Sequence, residues 1–437
     1  MSEARITNLS NESNTGGPTI SGITTFSGTN YFVPPVGNTQ QRPDNPQKGA
    51  IRFNTYSKHL EYFKGDSIGW VEVEATSEEL NGGHRGVMAG GDNPGSPGQT
   101  HTIDYITIST LANAIDFGDL TTGGNAGSGG REYLAQGSQA SRTRCIFAGG
   151  QGFPSPNNET NVVDYITIAS TGNATNYGDL INSTGSHSSC SSETRGVVMG
   201  GNDAPTGATD AIQYTTIATT GNYVDWGGDV PTANGNGTAV ASPTRGVVNE
   251  GSQDSNTLNY ITIATTGVDA SDFGDSPYKS RANQSTGGNA VRAVFAGGGT
   301  PSPGVNSMYY LTISTLGNGA DFGDLTLSSA LAGNGASSST RGVYSGWHIS
   351  PYKHVNYFTF ATTGNAADFG DLTAATNGAG AVSSPTRMVV TGGKRANSFS
   401  VTCDYVEIMT LGNAKDFADL TSARMVMGYG SNGHGGL

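Results

Sequence analysis

The stretch DYITIASTGNATNYGDL, residues 164–180, returns with small changes along most of the chain. Its tyrosine marks each copy, and the seven markers are Tyr105, Tyr165, Tyr214, Tyr260, Tyr310, Tyr357 and Tyr405. Successive markers lie 46 to 60 residues apart. A catalytic motif is needed once, whereas a motif that returns at a nearly fixed period indicates a repeat architecture.

Two further markers accompany each tyrosine. A second aromatic residue follows 12 residues later in six copies and 13 residues later in one: Phe117, Tyr177, Trp226, Phe273, Phe322, Phe369 and Phe417. An apolar run that usually ends in Gly-Gly precedes each tyrosine, and it begins at Arg85, Arg144, Arg195, Arg245, Arg292, Arg341 and Arg387. The chain therefore contains seven repeats.

Each repeat is predicted to form four short strands. GTAVAS (237–242) is typical of the first strand, SPT of a tight turn, and RGVVMGG of a second strand that the glycines end. YITIAST predicts the third strand, and TGN turns the chain into a fourth, ATNYGDL. The constant spacing of the two aromatics fits a hairpin, because a one-residue slip would reverse every side chain. Four-stranded units of about 50 residues predict an all-β fold, a seven-bladed β-propeller.

The order of these markers resembles the kelch-type propeller, over residues 83–437. The sequence departs from that pattern at Glu250-Gly251 and Gly346-Trp347, where the glycine doublet is altered. The second aromatic is tryptophan only at Trp226. The resemblance implies a kelch-like propeller with divergent repeats.

The first repeat lacks a recognisable first strand, because the residues before Arg85 have no strand pattern. The segment TSARMVMGYGSNG (421–433) aligns with SGGREYLAQGSQ and YKSRANQST, which precede the second strand of two other repeats. The C-terminal strand is therefore predicted to complete the first blade and close the propeller.

Charge and composition exclude several classes of partner. The chain has 437 residues, with 22 Lys+Arg against 35 Asp+Glu and a net charge of −13, which disfavours nucleic acid and anionic membranes. Its start has no apolar core or cleavage pattern and no stretch reaches the roughly 20 apolar residues of a membrane span, so we expect neither a secretory signal nor a spanning segment. Cys145, Cys190 and Cys403 lack metal or redox spacing, so we expect structural thiols, a reducing cytoplasm and no disulfides.

One acid recurs in every repeat, and the repeated positions are Asp119, Asp179, Asp229, Asp275, Asp324, Asp371 and Asp419. Calcium binding is one reading, but identical placement in every repeat favours caps on backbone N–H groups. The repeated arginines are expected to join blades or to satisfy turn carbonyls. The seven histidines form no ligand pattern with the cysteines. We therefore expect a non-enzymatic protein without catalytic residues, metal or cofactor. A carbohydrate-active enzyme is an alternative, because glycosidase carboxylates need not be close in the chain.

The loops differ in variability. The SPT and TGN turns hardly change and should share one rim, whereas the loops after Gly-Gly vary and should line the other with the connections between blades. The sixth loop, GWHISPYKHVN (346–356), supplies the candidate ligand-binding residues Trp347, His348, Tyr352, Lys353 and His354. An aromatic ledge with hydrogen-bonding neighbours suits a sugar ring, while rim packing or a subunit contact is the alternative.

The first 78 residues have a different character. Residues 1–48 form a polar, extended arm, residues 49–78 predict a small module of three short strands, and residues 79–437 form the propeller. So small a sheet is not stable alone and should pack on the propeller or on copies of itself.

Residues 20–75 resemble a module of structural proteins of tailed bacteriophages, in which a proline-rich lead runs into IRFNT, EYF and a tryptophan. The resemblance rests on Ile51, Arg52, Phe53, Asn54, Thr55, Glu61, Tyr62, Gly65 and Trp70. It implies that the N-terminus binds other virion structural proteins and that the propeller faces outward.

The function expected from this resemblance is that of a phage virion structural protein, tail-fibre-like or a surface appendage. It would be assembled in the host cytoplasm as a homo-oligomer and exposed on the particle, where the propeller binds host-surface glycan or a virion protein. A capsid- or tail-decorating protein without receptor binding is the alternative.

Overall fold

The computed structural model describes residues 33–432 except 58, 74–83, 95–97, 122–129, 135–137, 153–158, 204–206, 236, 251–254, 280–284, 290, 299–303, 330 and 348–352. These residues form an all-β fold whose one helix is a single 3-10 turn, Thr39–Gln41. The chain divides into two compact units, Met1–Ser77 and Glu78–Leu437.

The first unit contains one four-stranded sheet. Its strands, in sheet order, are β1 (Val36–Gly37), β2 (Ile51–Asn54), β3 (His59–Phe63) and β4 (Trp70–Val73). β1 is parallel to β2, and the other pairs are antiparallel. The three predicted strands are present, and β1 and the 3-10 turn lie in the arm that was expected to be extended.

The second unit repeats one arrangement, in which strands pair antiparallel, and among the described residues it forms six four-stranded sheets and one five-stranded sheet, sheet 3. Sheet 1 contains β5 (Arg85–Ala89), β6 (Thr102–Thr107) and β7 (Ile115–Asp119). Sheet 2 contains β8 (Ser138–Ala140), β9 (Arg144–Ala148), β10 (Val162–Thr167) and β11 (Thr175–Asp179). Sheet 3 contains β12 (Thr184–Gly185), β13 (Ser188–Ser191), β14 (Arg195–Asp203), β15 (Gly207–Thr216) and β16 (Val224–Asn234). Sheet 4 contains β17 (Thr238–Ala241), β18 (Arg245–Asn249), β19 (Thr257–Thr262) and β20 (Ser271–Asp275). Sheet 5 contains β21 (Ser285–Gly288), β22 (Arg292–Ala296), β23 (Val305–Thr312) and β24 (Ala320–Ser329).

Sheet 6 contains β25 (Leu331–Ser337), β26 (Arg341–Trp347), β27 (His354–Thr359) and β28 (Ala367–Asp371). The last part of the chain contributes β29 (Thr376–Asn377), β30 (Gly380–Ser383), β31 (Arg387–Thr391), β32 (Lys394–Arg395), β33 (Ser398–Phe399), β34 (Thr402–Glu407), β35 (Lys415–Asp419) and β36 (Gly428–Ser431). Sheet 7 has the order β30-β31-β34-β35, and β29, β32 and β33 form a small separate sheet.

Sheet 1 combines strands from distant parts of the second unit. β36 pairs antiparallel with β5, with Gly428 opposite Ala89 and Ser431 opposite Gly86. Arg424, just before β36, is fully buried and forms an ion pair of 2.6 Å with the buried Asp104 in β6. Arg131, in the aligned segment before β8, forms the same buried pair with Asp164. The aligned segments therefore have equivalent positions in sheets 1 and 2.

The arginine-led strands are buried on both faces. Val87 and Met88 are adjacent in β5 and both fully buried, but Val87 packs with sheet 2 and Met88 with sheet 7. Seven apolar clusters of the described residues each draw on two consecutive sheets, sheet 7 being followed by sheet 1. Burial on both faces explains why these runs are apolar without alternation.

The three sequence markers of each repeat form one stack. The guanidinium lies 4.2–4.7 Å from the ring centroid of the tyrosine in its own repeat. That tyrosine makes an edge-to-face contact with the second aromatic, with centroids 5.6–6.1 Å apart. The arginine also donates to a backbone carbonyl of the next repeat, at Ile168, Ile217, Ile263, Ile313, Phe360, Ile408 and, from Arg387, Ile108.

A β-bulge explains the glycine of the DFGD motif. Ile103 pairs with Gly118 and Asp104 with Asp116, which leaves Phe117 as the extra residue. Gly118 has φ of 143°, and a Cβ there would lie 2.5 Å from the backbone carbonyl of Gly172 in the next repeat. Neighbouring repeats therefore meet through bare backbone at this point.

The glycine doublet does not end every second strand as the sequence predicted. In sheet 3, β14 continues through Gly200 and Gly201 to Asp203, with a register shift between Met199 and Gly201. The doublet is absorbed there as an irregularity of a longer hairpin with β15.

We predict that deleting residues 421–437 lowers the free energy of unfolding by about 3–5 kcal/mol, because it removes the β36–β5 ladder, the fully buried Met427 and the cation that is paired with Asp104. Chemical denaturation of the full-length and truncated proteins measures this difference. Deleting residues 433–437 alone is the control, since Arg424 and β36 remain. Equal unfolding midpoints for the long deletion and the intact protein would contradict the prediction.

Candidate functional site

The variable loops and the connections between sheets lie at the same end of the antiparallel sheets, which we name the loop end. The glycine doublets fasten these two sets of segments together. Gly91 N–H donates to Arg131 O at 2.8 Å, and Gly393 N–H donates to Arg424 O at 2.9 Å. A Cβ on Gly90, where φ is 63°, would lie 2.4 Å from Arg131 O. Only glycine therefore permits this close approach.

The sequence-predicted ligand site lies only partly within the described residues. Trp347 ends β26 and pairs with Leu331, but its side chain, His348 and Tyr352 lie outside the described part of the chain. Lys353 and His354 both contact one carboxylate, with Lys353 Nζ 3.0 Å and His354 Nδ1 3.1 Å from Asp371. Both side chains therefore have a structural partner in Asp371, and ligand binding by the five residues stays a prediction.

The repeated acids require a correction. The cap expected from Asp119 is made by Asp116, whose carboxylate accepts from Gly118 N–H at 3.0 Å. The N–H of Asp119 is itself capped by the side chain of Asn173 in the next repeat at 3.1 Å. The equivalent hydrogen bond is present in all seven repeats. In the last repeat the N–H of Asp419 donates to the side chain of Asn113 in the first. The second acid of the motif thus marks a junction between repeats through its backbone.

The three cysteines, Cys145, Cys190 and Cys403, are free and buried. Burial raises the pKa of each thiol to about 12, so all three are protonated at neutral pH and poor nucleophiles. Among the described residues, no group of three or more His, Cys, Asp or Glu side chains is arranged to hold a metal ion.

A polar cluster that the sequence did not predict occupies the loop end near sheets 1, 2 and 7. It consists of Asp92, Gln99, Glu132, Tyr133 and Lys394, and we name it the acid–amide cluster. Asp92 and Gln99 belong to the first variable loop, Glu132 and Tyr133 to the connection into sheet 2, and Lys394 to the seventh loop. The sequence separations are too large for any local motif to have signalled the cluster.

Backbone hydrogen bonds hold the cluster in place. Asp92 exchanges two backbone hydrogen bonds of 2.9 Å with Met425, and Glu132 exchanges two of 2.9 Å with Gln151. Arg131 fixes the connection into sheet 2 to that sheet, because its Nη1 donates to the backbone carbonyls of Gly149 and Val162. The side chains of Glu132 and Tyr133 are therefore presented by a fixed backbone.

Burial dominates the electrostatics of the cluster. Glu132 is only 7% exposed, and burial raises its pKa, an effect that the hydrogen bond from Gln99 opposes and the charge of Asp92 reinforces. Burial likewise raises the pKa of Asp92, and Lys394 lowers the pKa of both acids. The pKa of Tyr133 is raised by burial and then by the two carboxylates.

Gln99 leaves one hydrogen-bonding atom of the cluster free. Its Nε2 donates to Glu132 Oε1 at 3.0 Å, while its Oε1 is buried without a hydrogen-bond partner. Gln99 as a whole is 8% exposed. The cluster therefore contains a preorganised acceptor that the described part of the protein does not satisfy.

The chain matches known proteins in fold alone. No family model matches it, and the comparison with curated proteins found no match. The solved structure of YjhT matches with a TM-score of 0.50 and 10% sequence identity, over 65% of this chain and 97% of YjhT. At this identity the similarity concerns the β fold. Within the described part of the chain, no helix is long and apolar enough to cross a membrane.

His187 occupies an apolar position at the loop end. It follows Ser186, whose φ is 52°, just as Leu134 and Met427 follow Tyr133 and Val426 with φ of 56° and 49°. All three following residues are fully buried. Both ring nitrogens of His187 lack a hydrogen-bond partner, and burial lowers its pKa to about 4.

We predict that His187 makes the fold acid-sensitive. As pH falls from 6.5 to about 4, the unfolded chain takes up a proton that the buried imidazole does not. Stability should therefore decrease by about 1.4 kcal/mol per pH unit over this window. His187→Leu, which introduces the residue that sheet 2 has at this position, should flatten the dependence of the unfolding free energy on pH. An unchanged slope in His187→Leu would contradict the prediction.

Proposed function

We propose that the second unit is a closed, seven-bladed, kelch-like propeller and that the chain is a non-enzymatic phage virion structural protein. In this proposal it is a tail-fibre-like protein or surface appendage, exposed on particles assembled in the host cytoplasm. The first unit binds other virion structural proteins in a homo-oligomeric appendage, and the loop end binds a host-surface glycan. Support for the closed propeller comes from the apolar cluster shared by sheets 7 and 1 and from the Arg387–Ile108 hydrogen bond of 2.8 Å.

The observation that carries the virion assignment is the apolar face of the first-unit sheet. Register places Ile51 opposite Tyr62, and Phe53 opposite Leu60. Leu60 in turn lies opposite Val73. None of these five residues is fully buried, and Ile51 is 53% exposed. A continuous apolar sheet face that stays accessible is typical of an interaction surface.

The other face of the sheet buries charge. Glu61 is fully buried, with Arg42 Nη2 at 2.5 Å, Arg52 Nη1 at 3.2 Å and Asn54 Nδ2 at 3.2 Å from its carboxylate. Burial alone would raise the pKa of Glu61, but the hydrogen bonds from Arg42 and Asn54 and the charges of both arginines lower it overall. Of the motif residues that resemble the phage module, Arg52, Asn54 and Glu61 belong to the buried polar network, and Ile51, Phe53 and Tyr62 lie on the open apolar face.

Two alternatives make different predictions. A decorating protein without receptor binding would incorporate into particles and bind no glycan. A carbohydrate-active enzyme is favoured by one observation, a pair of carboxyl groups with raised pKa at the loop end, Asp92 and Glu132, of which Asp92 raises the pKa of Glu132 through its charge. Release of reducing sugar ends from host-surface polysaccharide would identify the enzyme.

We predict that Ile51→Lys prevents incorporation into particles without unfolding the protein, because an exposed site tolerates the charge whereas an apolar interface does not. Particles lacking the protein are supplied with each variant, and bound protein is quantified along with its melting temperature. Ile68→Lys is the matched control, since Ile68 is 62% exposed in the turn beside the sheet. We expect at least tenfold less bound Ile51→Lys and normal binding of Ile68→Lys.

Normal incorporation of Ile51→Lys would contradict the interface assignment. Absence of the wild-type chain from purified particles, judged by electron microscopy with labelled antibody, would overturn the virion assignment itself.

A further inference from the structure

We propose that the acid–amide cluster, Asp92, Gln99, Glu132, Tyr133 and Lys394, binds a neutral saccharide whose hydroxyl groups donate to the carboxyl and amide oxygens. This inference rests on the proposed function for the source of the ligand, a host-surface glycan. Its chemistry rests on the residues themselves.

The cluster offers acceptors to the hydroxyl groups of a ligand. One N–H of the Gln99 amide donates to Glu132 Oε1 at 3.0 Å, and the buried Gln99 Oε1 has no hydrogen-bond partner. The Asp92 carboxylate adds further acceptor positions. A buried acceptor without a partner is costly, so a ligand hydroxyl that donates to it gains more than it would from a solvated group. Sugars carry several such hydroxyl groups on one rigid ring.

Charge favours a neutral ligand. Asp92 lies close enough to Glu132 that its charge raises the pKa of Glu132, so an anionic sugar would meet two acids. The net charge of −13 opposes an anion at longer range. A metal ion is also disfavoured, because Lys394 is near enough to lower the pKa of both acids and would repel it.

Tyr133 supplies an apolar surface beside these acceptors. It is 40% exposed and adjoins Glu132 in the chain. Its N–H donates to Val426 O at 3.1 Å, which holds the residue at φ of 56°. The equivalent residues in sheets 1 and 3, Val426 and Ser186, share this backbone conformation but not the ring. A half-exposed aromatic next to carboxylates suits the apolar face of a pyranose.

The residues of the cluster occupy positions that differ between repeats. The residue after the glycine doublet is Asp92 in the first repeat, Gln151 in the second, Asn202 in the third and Lys394 in the seventh. A distinctive patch on a uniform scaffold is what selective binding requires.

The test uses purified full-length protein on an array of immobilised oligosaccharides. Neutral oligosaccharides ending in glucose, galactose, mannose or N-acetylglucosamine are compared with sialylated ones, and calcium chloride alone is titrated separately. We expect binding of at least one neutral oligosaccharide and of none of the sialylated ones. Calorimetry with that neutral oligosaccharide then measures affinity.

Two variants probe the site. Asp92→Asn removes a charged acceptor, and Tyr133→Asn removes the ring while tolerating the positive φ. Each should weaken affinity at least tenfold with an unchanged melting temperature. Asp210→Asn is the matched control, an exposed acid at the loop end of sheet 3, and should bind normally.

Four outcomes would overturn the proposal. They are no binding of any neutral oligosaccharide, binding of sialylated oligosaccharides alone, calcium binding that is lost in Asp92→Asn, and normal saccharide binding by both cluster variants. Failure on the array with normal incorporation into particles overturns the site and leaves the virion assignment standing. Saccharide binding that Asp92→Asn abolishes, in a chain absent from particles, supports the site and overturns the virion assignment.

Discussion

One guanidinium in each repeat joins that repeat to the next. It lies over the tyrosine ring of its own sheet and donates to a backbone carbonyl of the following sheet, as Arg85 does over Tyr105 toward Ile168. A planar cation can satisfy a ring face and an in-plane acceptor together, whereas a lysine ammonium would lose the geometry. The hydrogen bond therefore fixes the position of each sheet relative to its neighbour at the end opposite the loop end. Between neighbouring sheets, the arginine-led apolar strands can then be buried on both faces.

This constraint leaves the opposite end free to vary. The turns must remain alike, because the side chain of Asn173 caps Asp119 and the turn glycine Gly172 packs against Gly118. The loops after the glycine doublets share less. Besides the doublet, five of them keep a Ser or Thr five positions before the tyrosine, and its hydroxyl oxygen accepts from the N–H two residues later. Differences among repeats therefore accumulate at the loop end, where His187 replaces an apolar residue and where the acid–amide cluster is assembled.

Features that recur in all seven repeats can be predicted from the sequence, whereas features that occur in a single loop cannot. The arginine, tyrosine and second aromatic recur at fixed spacing, so their strands follow from sequence alone, and the structure shows all three in one stack. The acid–amide cluster depends on which loops the topology brings together, and Asp92 and Lys394 are 302 positions apart in the chain. The capping role of Asp116 rather than Asp119 depends on a bulge, which spacing does not reveal.

The sheet of the first unit buries charged and polar side chains on one face and leaves apolar side chains exposed on the other. Its buried ion pairs around Glu61 contribute little net stability, because the desolvation of three charged groups offsets their attraction. What such a network does fix is register and orientation, since a displaced strand would leave a charge buried without a partner. The free energy that the unit can still gain lies on its other face, where Ile51 and Val73 remain exposed. In the function proposed above, association with another virion protein would remove that apolar face from water, which is the favourable term still open to this sheet.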